Sequence, residues 1–169
     1  EELLYEGYAP GGVGLIVEVT TDNKNRSAAE VRSTLTKNGG NLAAPGALSY
    51  NFKRKGQFLI AKDKIDEDPL TELALDNDAE DIVMEEDHYE ILCEVSEFDK
   101  LSQALEGRDV TPDSAELVFL PENLVSVSNE TVARQILRLI DILDDLEDVK
   151  AVHSNYDIDE ALLEAYASQ

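Results

Sequence analysis

Apolar residues fall along the chain in short runs of two distinct periods. From Gly14 to Thr20 the residues Leu15, Ile16, Val17 and Val19 follow almost without a break, the pattern of a buried strand. Directly afterwards Ala28, Val31 and Leu35 fall at i, i+3 and i+7, which predicts a helix with one apolar stripe. Ser27 and Glu30 have the spacing of a capping box and place the helix start there, while Gly39 supplies a left-handed stop. From Ala47 to Phe52 the period changes to two, with Leu48, Tyr50 and Phe52 alternating with Ser49 and Asn51, so a half-buried strand is predicted. A basic turn, Lys53-Arg54-Lys55-Gly56, then leads into a strand from Gln57 to Ala61, giving a β-α-β-β order.

The middle of the chain repeats the alternation. Asp68-Pro69 forms a cap and first-turn pair ahead of Leu70, Leu73 and Ala74. Asp81 to Glu86 and Tyr89 to Val95 predict a hairpin about Asp87-His88, and Ser96 opens a helix with Phe98, Leu101 and Leu105 inward. Ala115 to Leu120 is a further strand, which Pro121 keeps from continuing as a central one. Val132, Ile136, Leu139, Ile140, Leu143 and Leu146 mark one face of a helix from Thr131 to Leu146, and Val149 to Ile158 closes the sheet. The predicted class is α+β, with two ferredoxin-like α/β sandwiches and the second inserted into the first. The expected boundaries are 1–66 plus 127–159 for the discontinuous domain and 67–126 for the insert. Residues 160–169 are left as a C-terminal tail, where Leu162, Leu163 and Tyr166 allow an amphipathic turn.

Charge divides the chain more sharply than hydrophobicity does. The net charge is −23, yet residues 1–66 hold nine Lys/Arg against eight Asp/Glu, whereas the remainder holds five against 29. Residues 67–126 alone carry two Lys/Arg and nineteen Asp/Glu, so this segment repels phosphate and suits a basic protein partner. A solubilising role for the same surface is the plain alternative. No apolar run approaches the ~18 residues of a membrane-spanning helix, and no signal peptide precedes the first strand. One cysteine, Cys93, precludes an intrachain disulfide, so a cytoplasmic or mitochondrial-matrix setting is expected.

Candidate chemistry is sparse. His88 and His153 have no neighbouring nucleophile, and Cys93 alternates with Ile91 and Val95 as a buried residue would. The clusters Glu85-Glu86-Asp87 and Asp76-Asn77-Asp78 lack calcium-loop spacing. Neither a catalytic residue, a metal site nor a cofactor is predicted. Asp144-Asp145 and Glu147-Asp148 oppose the dipole at a helix end, and the sequence offers no functional account of them. Cations are better placed: Lys24 and Arg26 ahead of the first helix, Arg32 and Lys37 on it, and Lys53, Arg54 and Lys55 at a hairpin tip beside Tyr50 and Phe52. If they converge they form a strip suited to phosphate oxygens; otherwise they are ordinary solvated side chains.

The opening Tyr5-Glu6-Gly7-Tyr8-Ala9-Pro10-Gly11-Gly12 is rich in residues chosen for backbone conformation, a turn-rich clasp before a strand. Gly-rich loops present N–H groups to anions, but this one precedes a strand rather than a helix, and Glu6 adds repulsion. With Gly39-Gly40-Asn41-Leu42 and Phe52-Lys53-Arg54-Lys55-Gly56, the clasp resembles the YebC family, over nearly the whole chain. The matching clasp positions are Tyr5, Glu6, Gly7, Tyr8, Pro10, Gly11 and Gly12; Ala9 stands where glycine is usual, which implies a negative φ there.

The resemblance implies the same two-sandwich fold, and an N-terminal Lys/Arg-rich helical domain that this sequence, opening at the clasp, is expected to lack. It also implies a non-enzymatic regulator of gene expression. Family members are described as probable transcriptional regulators or as translational activators, including the mitochondrial type that acts on cytochrome c oxidase subunit I. Nucleic acid, DNA or RNA, and the ribosome are the implied partners, with no membrane. An acidic scaffold without nucleic-acid contact, and a small-molecule sensor or enzyme on the same frame, remain the alternatives.

Overall fold

The clasp is a strand followed by its turn. In the computed structural model, described for residues 1–168, β1 (Glu2–Tyr8) pairs antiparallel with β2 (Gly14–Thr20), from Glu2 opposite Thr20 to Tyr8 opposite Gly14. The link is a tight turn over Pro10–Gly12 in which Gly11 and Gly12 take φ near +80°, open to glycine at little cost. Ala9 has φ −93° and is buried in the core, in line with its negative-φ expectation.

The first helix, α1 (Lys24–Lys37), starts three residues before the expected cap. Asn23 lies in extended conformation and its side chain accepts from the Arg26 N–H at 3.1 Å, while Ser27 sits inside the helix and is buried. Lys24 and Arg26 are therefore in its first turn, not ahead of it. The helix ends at Asn38, and Gly39 follows with φ +84°. Two residues later β3 (Asn41–Leu42) pairs with β1.

Residues 47–51 do not form a strand. Gly46 has φ +88°, and a 3-10 turn over Ser49–Asn51 follows. Leu48 and Phe52 are buried as the alternation suggested, but Tyr50 is 72% exposed. The basic residues after it form no hairpin tip. They belong to one long strand, β4 (Phe52–Ala61), which pairs with β6 (His88–Cys93) from Gly56 opposite Cys93 to Ala61 opposite His88.

That pairing moves the domain boundary. The chain divides into one unit of residues 1–53 with 120–168 and a second of Arg54–Phe119, so the expected limits of 1–66 and 67–126 give way. In the second unit β4 is followed by α2 (Glu67–Asp76), β5 (Asp81–Met84), β6, α3 (Phe98–Gly107) and β7 (Ser114–Pro121), in a sheet of order β5-β6-β4-β7. This is a complete β-α-β-β-α-β sandwich. Its core holds Phe58, Ile60, Leu70, Ile91, Leu101 and Leu105, none more than 1% exposed. The caps shift slightly: Asp66 precedes α2 in place of Asp68, and Glu97 precedes α3 in place of Ser96.

The first unit holds β8 (Val125–Val127), α4 (Glu130–Asp144), β9 (Val149–Ser154), β10 (Tyr156–Ile158) and α5 (Glu160–Ala167), and its main sheet has the order β3-β1-β2-β9. With β4 committed elsewhere, β1 takes the place of the third strand, so the first unit is also a ferredoxin-like arrangement, built from both ends of the chain. The predicted closing strand is broken at Asn155. Its buried carboxamide oxygen accepts the Gly14 N–H at 2.7 Å, and the chain then leaves β9 to pair, as β10, in parallel with β8. α1 and α4 cover the sheet with Val31, Leu35, Ile136, Leu139 and Leu143. The expected tail is the helix α5, with Leu162, Leu163 and Tyr166 against that core; Gln169 lies outside the described residues.

Candidate nucleic-acid interface

The seven candidate cations separate into four on α1 and three on β4, and they differ in what already holds them. Arg26 is engaged. Its guanidinium lies 2.9 Å from Asp148 and 3.0 Å from Asp22, and both carboxylates raise its pKa further. Asp148 is the centre of this group: its Oδ2 also accepts from the buried Ser27 hydroxyl at 2.7 Å and from Thr21 at 3.3 Å. The acid that looked misplaced at a helix end is thus a staple between the α4–β9 turn and the start of α1.

Ser27 and Arg26 hold the Asp148 carboxyl below the usual carboxylate range. A depressed folded-state pKa adds stability above the unfolded value of about 4, and this is lost as pH falls through the folded value. Asp148→Asn is therefore expected to lower the denaturation midpoint at neutral pH and to make it less sensitive to acid. Parallel urea titrations at neutral and acidic pH would check this; an unchanged pH dependence would show that the staple contributes nothing.

Lys55 is engaged even more closely, 2.6 Å from Glu80 and 2.7 Å from Glu94, with its side chain only 17% exposed. Glu80 and then Glu94 raise its pKa, and Lys55 in turn lowers that of Glu94. Lys53 stands 3.8 Å from Glu122 with both side chains more than half exposed, a weak pair. Arg54 lies over the Phe119 ring at 4.4 Å. Gly56, beside them, serves packing rather than a turn: an added Cβ would come within 2.7 Å of both Cys93 Sγ and Phe98.

Lys24, Arg32 and Lys37 are exposed and make no ion pair among the described residues. Arg32 and Lys37 line a shallow depression on the outward face of α1 together with the small side chains of Ala28, Ala29, Ser33 and Thr36. On its other side Arg32 also reaches a notch beside β1. Of the seven candidate cations, the three without an ion pair or ring contact among the described residues therefore all lie on α1.

The clasp residues act on the backbone. Gly7 lets Leu35 seat against β1, since a Cβ there would meet Leu35 Cδ1 at 2.9 Å. Glu6 is not a free repulsive charge: its carboxylate accepts the N–H groups of Gly46 at 2.5 Å and Leu48 at 2.6 Å. That clamp curls residues 46–51 out of the expected strand. Sequence spacing gave no sign of it, because the partners lie forty positions away.

The two histidines and the cysteine are accounted for locally. His153 Nε2 is 2.6 Å from Glu18 on the neighbouring strand, and His88 Nδ1 is 2.7 Å from Asp87. Cys93 is fully buried, and burial pushes its thiol pKa up. No helix among the described residues is long and apolar enough to cross a membrane.

Comparison with known proteins gives a concordant result. Residues 1–156 match the family profile described as TACO1/YebC second and third domain. A probable transcriptional regulatory protein of Opitutus terrae is 50% identical over 165 residues, 98% of this chain and 66% of the relative. Another from Bifidobacterium animalis subsp. lactis is 47% identical over 156 residues, covering 92% and 62%. The crystal structure of a conserved hypothetical protein from Aquifex aeolicus superposes with a TM-score of 0.85 at 39% identity, over 95% of this chain and 66% of that one. The chain thus spans about two thirds of the length of these relatives. With its two sandwiches, its clasp and this match over residues 1–156, the chain belongs to the TACO1/YebC family.

Proposed function

We propose that the chain is the two-sandwich part of a non-enzymatic regulator of gene expression that contacts nucleic acid, alone or within a ribonucleoprotein such as the ribosome. The observation that carries this reading is the outward face of α1, where Arg32 and Lys37, without an ion pair among the described residues, line a depression together with small side chains. Small residues let a sugar-phosphate backbone approach the helix, and the two cations then meet phosphate oxygens. Lys24 adds a third charge at the start of the same helix. Contacts of this kind set position and not sequence. The names of the relatives support a regulatory role, and a transcriptional or translational target is compatible with such contacts.

Filter binding of the chain to mixed single-stranded and duplex RNA and DNA at rising salt tests the proposal. Affinity should fall with salt, with a log–log slope of roughly −0.7 to −0.9 per phosphate contacted. Arg32→Glu/Lys37→Glu should abolish binding, whereas Lys55→Gln, which removes a cation already held between two carboxylates, should leave the salt slope unchanged. Salt-independent binding, or equal loss in both variants, would refute the α1 interface.

A further inference from the structure

The 3-10 turn over Ser49–Asn51 presents an aromatic ring to solvent. Tyr50 is 72% exposed and belongs to neither hydrophobic core, whereas Leu48, Asn51 and Phe52 around it are all buried. The turn is tied on both sides. Ahead of it, the Glu6 carboxylate accepts the Gly46 and Leu48 N–H groups. Behind it, the Asn51 carboxamide donates to Asn123 O at 3.1 Å and accepts the Asn123 N–H at 2.8 Å, while Asn51 O accepts the Glu122 N–H at 2.7 Å. Leu124, next along the chain from Asn123, is 59% exposed.

Single exposed apolar side chains are ordinary. Here two large ones stand in water, each one residue away from the same Asn51–Asn123 bridge. A ring carried on a backbone fixed at both ends loses little freedom when it binds. A nucleobase offers it a flat apolar face, and stacking on an aromatic ring tolerates any base. The surroundings accept phosphate. Lys53, three residues on, is more than half exposed and lies 3.8 Å from Glu122, while the Glu6 charge is already taken up by two N–H groups. The loop that carries Tyr50 also starts at the α1 interface, since Ala43, Ala44 and Pro45 line the notch that Arg32 reaches. These cations favour a phosphate-bearing partner over an apolar pocket on a protein.

We propose that Tyr50, with Leu124, is a stacking platform for an unpaired base, and that Lys53 meets an adjoining phosphate. On the nucleic-acid reading of the chain, which this site presupposes, the ligand is therefore single-stranded. Bases in a duplex are stacked on one another and leave no face for the ring along its length.

The chain contains no tryptophan, so Tyr50→Trp places one indole at the site. The full chain with this substitution is titrated with an oligouridine of about twelve nucleotides, an abasic ribose-phosphate oligomer of equal length and an equally long RNA duplex. Oligouridine should quench the indole, and the other two should not. Tyr50→Ala should weaken oligouridine binding by about tenfold and leave duplex affinity and the log–log salt slope unchanged, while Tyr50→Phe should stay within about twofold of wild type. The platform is overturned by equal quenching with the abasic oligomer, by unchanged affinity in Tyr50→Ala, or by equal loss for single strand and duplex. It is overturned too by an indole that oligouridine leaves unquenched, which would assign the exposed pair to a protein pocket instead. Loss of binding in the Arg32/Lys37 variant, with Tyr50→Ala unaffected, would refute the platform and leave the α1 interface standing. The reverse pattern would refute the α1 interface and support the platform, and a chain that binds no nucleic acid would refute both.

Discussion

Gly40→Ala is expected to destabilise the first unit by about 3 kcal/mol, near the upper end for overpacking. A Cβ at this position would collide with the Tyr8 carbonyl oxygen and lie 3.4 Å from the Leu35 carbonyl oxygen, both backbone atoms that cannot swing aside. The Gly40 N–H also closes α1 by donating to Leu35 O at 2.8 Å, so moving the residue outward breaks the helix stop. Gly7 and Leu35 depend on the same close approach of α1 to β1. Urea denaturation should show the midpoint shift, while Gly107→Ala, where an added Cβ meets nothing within 4 Å, should show little or none. Equal effects in the two variants would mean that the junction relaxes more easily than its geometry indicates.

Glu6→Ala should release residues 43–51. Both carboxylate oxygens are used, each in a charge-assisted bond at the short end of the range, and their loss is expected to cost about 2–3 kcal/mol. The consequence reaches the core, because Leu48 is 4% exposed and its methyl groups lie over Gly14, within 3.3 Å of where a Cβ would stand. Hydrogen exchange should show the Gly46 and Leu48 amides losing protection first. Glu6→Gln keeps the shape but offers one acceptor in place of two, so it should fall between wild type and Ala. Unchanged protection at both amides would show that the loop holds itself.

The elements that announced themselves in the sequence did so through a face. β2, α1 and α4 each bury one continuous stripe, and the hairpin of β5 and β6 is flanked by clear turns. Periodicity says which side of a strand is wet; it does not say which strand lies beside it. Hence the apolar run predicts a strand from Gln57 to Ala61 but not its partner, which is β6 and no strand of the first unit. β1 is masked because Gly7 within it and Pro10, Gly11 and Gly12 just after it predict turns. In the Leu48–Phe52 stretch an alternating pattern arose from a clamped turn. The candidate site was legible as a set of charges but not as a set of free charges. Lys55 looks identical to Lys53 in sequence, and only folding brings Glu80 and Glu94, 25 and 39 positions away, to its ammonium group. Asp148 shows the converse, where a breach of helix-dipole preference marked a side chain with a specific task.

Building one sheet from both ends of the chain has a consequence for synthesis. The six elements of Arg54–Phe119 leave the translating ribosome as one contiguous block, whereas β2 waits for β9, whose His153 is 135 positions beyond its partner Glu18. At cellular elongation rates that gap lasts on the order of 10 s. During it the nascent hairpin of β1 and β2 has a bare flank and half a core, so the outer sandwich is the late-maturing part and the one most in need of protection as the polypeptide emerges.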